Sequence, residues 1–414
     1  MSILPRESRP AQVIHLGARK RSAGFLLGLI ATVLRGLRAV TTTDIKSRRV
    51  MILEPFGIGD MISYQPLIQS LRENEYDVRV CARAEWRTLY PEIEHWIPSR
   101  VPWSTYEETQ KYRITQYRSP EYREFVRQLR EACSGAIGVD TRGDIRSVLF
   151  LYWAGCREVL TLSNYLGSDL RNFSRAARSV PFSPNSRRWE LNLSFLQAFG
   201  LSTRQRPPQF PHLRRPPTAF SDRRLGVVPI APWNGKLWGR SKWTEFLARL
   251  TESGWDVTAL CGPKQRSAAS SELGELVPIV ECTSIEAWAV ELQKFSAIVT
   301  VDTGPMHLAD ALGVPMVALF GQGLLPLWAP SGRRSRVVSH QGDADFRVCH
   351  PVEANTSLGR DFMQRIQPSE VLDVLRHLEE IAPITLGAGI DIHDPEHLRL
   401  RSAFPTTEAD LSLD

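Results

Sequence analysis

The sequence lacks the marks of several protein classes. Its six cysteines are scattered and none forms a C-x-x-C pair, which argues against a zinc ribbon or a disulfide framework and suits a reducing cytosol. The uncharged stretch from Ala23 to Leu34 has only twelve residues, whereas a transmembrane helix needs about 20. A signal peptide is not indicated either, because Arg35 and Arg38 occupy the positions where small cleavage-site residues belong.

The excess of basic over acidic residues lies at the N-terminus. Residues 1–50 carry a net charge of +8 and the rest of the chain carries −2, so the total of +6 belongs to the arm. In residues 19–38, a basic run, Arg19-Lys20-Arg21, precedes the uncharged stretch. We interpret this segment as an amphipathic helix on an anionic membrane surface; the alternative is a helix packed on the body with solvated arginines. No nucleic-acid partner is expected.

The stretch from Ser296 to Gly321 predicts the unit around which the chain is organised. A β-branched run is followed by Asp302-Thr303-Gly304-Pro305, an Ala/Leu-rich helix and another apolar strand. Strand, turn, helix and strand form the βαβ unit of a parallel sheet. Free N–H groups at such a helix start favour phosphate, so Asp302, Thr303 and Gly304 are candidate ligand residues. The alternative is that Asp302 only caps the helix.

A second candidate turn lies near the start of the body. The predicted strand from Val50 to Leu53 leads into Pro55-Phe56-Gly57-Ile58-Gly59-Asp60 and a helix predicted over 60–72. Gly57 and Gly59 allow close approach of a ligand to the backbone, but the third glycine of a dinucleotide fingerprint is missing. Asp60 is either the cap of this helix or a carboxylate that faces an interdomain cleft.

Two basic residues follow other predicted strands. Arg142 lies in the turn after the strand from Ala136 to Asp140, where it either binds an anionic acceptor or forms a surface salt bridge. Lys236 follows the strand predicted from Leu225 to Ala231, where it either neutralises a diphosphate or is solvated in a loop. Trp238 is predicted to pack in the core, as is Trp243.

The element pattern predicts an α/β protein with two Rossmann-like parallel-sheet domains. The last helix of the second domain is a candidate to pack back on the first. The expected segments are a basic arm (1–47), an acceptor domain (48–200), a Pro-rich linker (201–224), a donor domain (225–384) and a polar tail expected to be disordered (385–414).

Four motifs resemble those of the ADP-heptose:lipopolysaccharide heptosyltransferases, glycosyltransferase family 9. In chain order they are EPFGIGDMISYQPLIQSLR, KLWGRSKWTEFLARL, VDTGPMHLADALGVPMVALFG and MQRIQPSEVLDVLRHL. The resemblance runs from about residue 48 to about residue 380, and its Asp-Thr-Gly element is the most specific. It implies a GT-B type fold with a central cleft between the two domains.

The resemblance also implies the chemistry. The reaction would be an inverting transfer of a sugar, ADP-heptose being the implied donor, to a lipopolysaccharide core or another surface glycan, without a metal or other cofactor. Asp60 would be the general base, and Lys236 would hold the diphosphate. Thr303 and Gly304 would contact phosphate through their N–H groups, with Asp302 and His307 near the donor. The protein would be cytoplasmic and peripheral on the inner face of the membrane.

Two segments depart from the family pattern. Pro232-Trp233-Asn234 replaces hydroxyl residues before the Lys-x-Trp loop, and Gly321-Gln322-Gly323-Leu324-Leu325 replaces a Gly-Pro-Thr/Ser-Asp segment. Both would border the donor, so other nucleotide sugars stay open. The alternatives are a transferase or epimerase using another nucleotide sugar, and a non-catalytic sugar-nucleotide-binding protein.

Overall fold

The computed structural model describes residues 30–37, 48–101, 118–162, 177–180, 186–321, 323, 325–341 and 357–379. The chain divides into two compact units between Gln209 and Phe210, which is a position inside the expected linker. The polar tail and the parts of the arm before residue 30 and after residue 37 lie outside the described residues.

The N-terminal unit contains a six-stranded, fully parallel sheet. Its strands are β1 (Arg49–Glu54), β2 (Asp77–Ala82), β3 (Trp96–Pro98), β4 (Ile137–Asp140), β5 (Glu158–Leu162) and β6 (Arg178–Val180). Their order is β3-β2-β1-β4-β5-β6. The chain order reverses between β1 and β4, and open α/β sheets bind ligands at the carboxyl ends of strands at such a switch point.

Helices cover this sheet. They are α1 (residues 30–37), α2 (Ile58–Ser63), α3 (Gln65–Glu73), α4 (Pro120–Cys133), α5 (Ile145–Ala154) and α6 (Arg188–Ser194). The single helix expected over 60–72 is wrong, because the chain breaks at Tyr64 into α2 and α3. Pro66 explains the break, since proline lacks the N–H that would continue the helical ladder.

The C-terminal unit repeats the architecture. Its strands are β7 (Arg224–Val228), β8 (Asp256–Cys261), β9 (Ile279–Glu281), β10 (Ala297–Val301), β11 (Met316–Phe320) and β12 (Ser335–Ser339). They are parallel and follow the order β12-β11-β10-β7-β8-β9, so the switch point lies between β7 and β10. Its helices are α7 (Arg240–Glu252), α8 (Arg266–Leu273), α9 (Ile285–Leu292), α10 (Gly304–Leu312), α11 (Leu325–Trp328), α12 (Ser357–Arg365) and α13 (Pro368–Glu379). The predicted unit β10-α10-β11 is confirmed.

One boundary near Lys236 differs from the sequence prediction. Strand β7 ends at Val228 rather than at Ala231, because Pro229 cannot donate to a sheet ladder. The loop that carries Lys236 is correspondingly longer. The next helix, α7, begins at Arg240 and is preceded by Gly239 with φ 91°. Gly239 suits this left-handed conformation because it has no Cβ.

Two buried tryptophans fix the loop that carries Lys236 to the core of the C-terminal unit. The side chains of Trp238 and Trp243 are both fully buried, with ring centroids 4.8 Å apart in an edge-to-face contact. The indole Nε1 of Trp238 donates to the Ile366 carbonyl at 3.0 Å, which ties the loop to the chain after α12. The prediction that these tryptophans pack in the core is therefore confirmed.

The last helix belongs to the core of its own unit. Val371, Leu372 and Leu375 of α13 are buried in the cluster that contains Trp238. The contacts of α13 include α7 and strands β11 and β12. The expected contact of this helix with the N-terminal unit stays a prediction.

Candidate functional site

The first cluster of functional side chains lies at the switch point of the N-terminal sheet. Asp60 is in the first turn of α2, directly after β1, and is 4% exposed. One of its carboxylate oxygens accepts a hydrogen bond from Arg142 Nη2, and the other lies 3.4 Å from Arg188 Nε. The N-cap of α2 is Gly57, so the interpretation of Asp60 as a helix cap is wrong.

Arg142 reaches Asp60 from the turn after β4. The Asp140 carboxylate shapes that turn by accepting the backbone N–H groups of Arg142 at 3.3 Å and Asp144 at 2.9 Å. The Arg142 guanidinium lies 4.2 Å from the ring centroid of Phe56. Arg142 therefore forms a salt bridge, as one alternative predicted, but the side chains of the pair are only 12% and 5% exposed, so its expected place at the surface is wrong.

Arg188 is a functional candidate that the sequence reasoning missed. It lies on α6, is 2% exposed, and donates to the Thr141 carbonyl at 2.8 Å and to Thr141 Oγ1 at 2.7 Å. It therefore fixes the turn that carries Arg142 while its Nε faces Asp60. No local pattern marks Arg188, because it is one of two adjacent arginines at a helix start far along the chain from Asp60.

Glu54 is a second missed residue of this cluster. It ends β1, is 1% exposed, and accepts the backbone N–H of Phe56 at 2.8 Å. Burial, and next the charge of Asp60, raise the pKa of Glu54 to about 8. Burial also raises the pKa of Asp140, to about 6. Glu54 is therefore mainly an uncharged carboxylic acid at neutral pH, beside the ionic contacts of Asp60.

The second cluster lies at the switch point of the C-terminal sheet. Asp302 follows β10 directly and is 3% exposed, and its Oδ2 lies 2.6 Å from Lys236 Nζ. Lys236 belongs to a single helical turn after β7, and its ammonium lies 4.7 Å from the ring centroid of Trp233. The Lys236 side chain is 15% exposed, so the interpretation of a solvated loop lysine is wrong.

The start of α10 lies next to this ion pair. Thr303 is the N-cap residue and its side chain makes no capping hydrogen bond, so Asp302 is not the cap. Gly304 is the first helical residue, and the backbone N–H groups of a first turn have no intrahelical acceptors. His307, one turn later, makes an edge-to-face contact with Trp328 at 5.6 Å.

The glycine-rich segment after β11 packs against Asp302. A Cβ added at Gly323 would collide with the Asp302 carboxylate, and one at Gly321 would come within 2.9 Å of the Gly235 carbonyl. Gln341 Nε2 donates to the carbonyls of both glycines, at 2.8 Å to that of Gly321. Glycine at position 323 thus allows the loop to lie directly on the carboxylate, and glycine at position 321 allows it to pack against the loop that carries Lys236.

The candidate residues therefore form two sites. Gly57 and Gly59, which were predicted to let a ligand approach the backbone closely, lie beside Asp60 in the N-terminal unit, and their role in donor binding stays a prediction. Lys236, Asp302 and the start of α10 form the site of the C-terminal unit. In the ranges that the structure describes, no group of three or more His, Cys, Asp or Glu side chains is placed to hold a metal ion. Across the same part of the chain, no helix has the length and apolar character needed to cross a bilayer.

Comparisons with known proteins agree with this description. The model of glycosyltransferase family 9 (heptosyltransferase) matches residues 177–351. Lipopolysaccharide heptosyltransferase 1 of Pseudomonas aeruginosa is 25% identical to this chain over 291 residues, which cover 66% of this chain and 78% of that protein. These matches confirm the resemblance found in the sequence motifs.

Solved structures support the fold. The family 9 glycosyltransferase of Veillonella parvula covers 83% of this chain and 100% of its own, with a TM-score of 0.60 and 12% identity. The E. coli heptosyltransferase WaaC, solved with ADP, covers 80% of this chain and 99% of its own, with a TM-score of 0.57 and 15% identity. The prediction of a GT-B type α/β fold is confirmed.

The buried Glu54 carboxyl predicts an unusual pH dependence of stability. Between pH 4.5 and 8 the folded state keeps a proton on Glu54 that the unfolded state loses, so this residue lowers the free energy of unfolding as pH rises. Glu54→Gln should therefore gain stability relative to the unaltered protein, by about 2–4 kcal/mol at pH 8.5 and far less near pH 5. Urea unfolding at several pH values measures this difference, and a difference that is constant with pH would show that Glu54 is ionised throughout.

Proposed function

We propose that this chain, a member of glycosyltransferase family 9, is an inverting enzyme that moves a sugar from ADP-heptose to a hydroxyl group of a lipopolysaccharide core or another cell-surface glycan. One observation carries the proposal: a buried carboxylate paired with cationic side chains lies at the switch point of each sheet. One such carboxylate suits activation of an acceptor, and the other belongs to a site for an anionic donor.

Asp60 is the general base of the proposed reaction. As the acceptor hydroxyl attacks the anomeric carbon of the donor, an Asp60 carboxylate oxygen takes its proton. Arg188 orients that carboxylate and is itself held by the Thr141 turn. Arg142, which lies over Phe56, keeps its contact with Asp60 and offers its remaining N–H groups to a negatively charged group of the acceptor. This placement supports the proposal that Arg142 is an acceptor ligand.

The donor binds at the other site. The Lys236 ammonium neutralises the diphosphate and stabilises it as a leaving group, while the backbone N–H groups of Thr303 and Gly304 bind phosphate oxygens. Asp302 then exchanges its contact with Lys236 for hydroxyl groups of the donor, and His307 borders it. Because Lys236 supplies the positive charge, the transfer requires no metal, and we expect the activity to persist in a chelator such as EDTA.

Replacement of Asp60 separates a transferase from a binding protein. Asp60→Asn keeps the size and polarity of the side chain but cannot accept the hydroxyl proton, so kcat should fall by about 10²–10⁴-fold. The Kd for ADP, measured by calorimetry, should remain within about twofold of the unaltered value, since Asp60 is not placed in the donor site. An intact kcat in Asp60→Asn would contradict the role of Asp60. If the unaltered protein binds nucleotide sugars but turns none over with any acceptor tested, the chain is a binding protein.

Replacement of Lys236 tests the donor site. Lys236→Met removes the ammonium, and the affinity for ADP should fall by about tenfold to a hundredfold, the size expected for the loss of a charged hydrogen bond. Lys294→Met is the matched control, because it removes an exposed lysine of the same unit that pairs with Glu291. Calorimetric titration with ADP, UDP and GDP measures both variants. If UDP or GDP binds more tightly than ADP, the proposed donor is a UDP-sugar or a GDP-sugar instead, and the proposed reaction type is unchanged.

We also propose that the enzyme acts in the cytoplasm, at the inner face of the membrane, through residues 19–38. Of this segment the structure describes residues 30–37, which are helical. Ala31 is buried in the core of the N-terminal unit and Leu34 packs against it. Three apolar side chains on another face are exposed: Ile30 at 43%, Val33 at 56% and Leu37 at 58%. An exposed apolar stripe next to basic residues suits the surface of an anionic bilayer.

The stripe gives a test that leaves the packed face of α1 intact. Replacing Ile30, Val33 and Leu37 together with serine should weaken binding to vesicles of anionic lipid by about tenfold or more, because less apolar surface enters the bilayer. Leu276→Ser, which removes an exposed leucine of the C-terminal unit, should leave binding unchanged. Vesicle sedimentation measures all three proteins, and unaltered binding of the triple variant would contradict the membrane proposal.

A further inference from the structure

Glu54 is connected to Asp60 through a continuous series of contacts. Its Oε1 accepts the backbone N–H of Phe56 at 2.8 Å. The Phe56 ring lies 4.2 Å from the guanidinium of Arg142, and Arg142 donates to Asp60. A change at the Glu54 carboxyl therefore acts on the segment that carries Phe56, and through the Phe56 ring and Arg142 it reaches the proposed base.

The cluster contains two guanidinium groups, and both are directed at the same carboxylate. Arg142 pairs with one oxygen of Asp60, and Arg188 lies 3.4 Å from the other while it also holds Thr141. Glu54 is 1% exposed, so water does not compensate a negative charge there. A buried carboxylate needs a cation, and an ionised Glu54 would therefore compete with Asp60 for Arg142.

We infer that Glu54 is a positioning residue for Asp60: as an uncharged carboxylic acid it leaves both guanidinium groups on Asp60, and as a carboxylate it draws Arg142 away from that base. The inference rests on the proposed role of Asp60 in the transfer. The protonation state of Glu54 then sets the net charge of the proposed acceptor site. The site has a net charge of +1 while Glu54 is protonated, counting Asp60, Arg142 and Arg188.

The other titratable groups around Glu54 do not change charge in the same pH range. Burial raises the pKa of Tyr64 and that of Tyr90 well above 10, so both phenols stay neutral. Asp140 has a pKa of about 6 and is ionised by pH 7. The remaining charged groups that face this cluster are Asp60, Arg142 and Arg188, with Glu92 beside Tyr90 and Asp144 beside Asp140. Among the tyrosines and carboxyls with shifted pKa values, Glu54 is the one that ionises between pH 7 and 9.

Ionisation of Glu54 has two consequences for the transfer. The Asp60 carboxylate loses part of the contact that orients it, and a group on the acceptor loses part of the positive charge that attracts it. The kcat/KM for the acceptor should therefore fall by about tenfold between pH 7 and pH 9, which corresponds to one pKa unit of interaction. In Glu54→Gln, which cannot ionise, the ratio of kcat/KM at pH 9 to that at pH 7 should stay near one.

Carboxyl NMR tests the inference without an acceptor. The full-length protein is labelled with ¹³C at the side-chain carboxyls of Asp and Glu and titrated from pH 5 to 10. Comparison with Glu54→Gln and Asp60→Asn identifies the two resonances. Glu85→Gln is the control, because Glu85 is an exposed carboxyl of the same unit. We expect the Glu54 resonance to titrate near pH 8, and the Asp60 resonance to shift in the same step in the unaltered protein and in Glu85→Gln but not in Glu54→Gln.

Two results would overturn the inference. One is a Glu54 resonance that titrates below pH 6, and the other is an Asp60 resonance that does not respond to Glu54. If Glu54→Gln fails to fold, the unaltered spectrum still decides, because it must contain a Glu carboxyl and the Asp60 carboxyl that shift together near pH 8. If the two resonances shift together but no acceptor is glycosylated, the proposed function fails while the link between Glu54 and Asp60 stands.

Discussion

The cost of burying a charge determines the layout of both sites. Asp60 and Asp302 are 4% and 3% exposed, and an unpaired carboxylate at such a depth would cost several kcal/mol. Each is placed at the carboxyl end of a central strand, where the sheet order reverses and side chains of neighbouring connections converge. The connections after β4 and β7 and helix α6 must therefore be placed so that their cationic side chains reach these carboxylates.

The two carboxylates are satisfied in different ways. Asp60 is held by two guanidinium groups from separate elements, and one of them, Arg188, is itself fixed by the Thr141 turn. Asp302 pairs with the ammonium group of Lys236, which also lies near the ring of Trp233. Under the proposed function, two guanidinium groups would keep Asp60 oriented during proton transfer, and the compact ammonium of Lys236 would suit a diphosphate that arrives and leaves.

Much of this arrangement could be predicted from the sequence because it is local. The strand, turn and helix around Asp302 have a short and strong pattern, and the positions of Asp60, Arg142 and Lys236 after strands follow from the same alternation. Arg188 was missed because it reaches the site through tertiary packing of α6, which no local pattern encodes. Glu54 was missed because a polar residue that ends a strand is usually solvated, whereas Glu54 at the carboxyl end of β1 is only 1% exposed.

The two segments that depart from the family motifs both contact the Lys236–Asp302 ion pair. Trp233, in the segment that replaces hydroxyl residues, puts an aromatic ring 4.7 Å from the Lys236 ammonium. The glycine-rich loop after β11 lies on Asp302 and is held there by Gln341, at a position where a larger residue than Gly323 would collide. The proposed donor site thus contains a buried carboxylate and a cation, with an aromatic ring and a glycine-rich loop packed against them.

The stereochemistry of the product tests the central claim most directly. If Asp60 activates the acceptor hydroxyl for a single direct displacement, the new glycosidic bond must have the anomeric configuration opposite to that of the donor. The one-bond C1–H1 coupling of the product, formed from ¹³C-labelled ADP-heptose and a lipopolysaccharide-core acceptor, measures that configuration by NMR. The account predicts inversion. Retention of configuration is incompatible with a single backside displacement and would contradict the role assigned to Asp60.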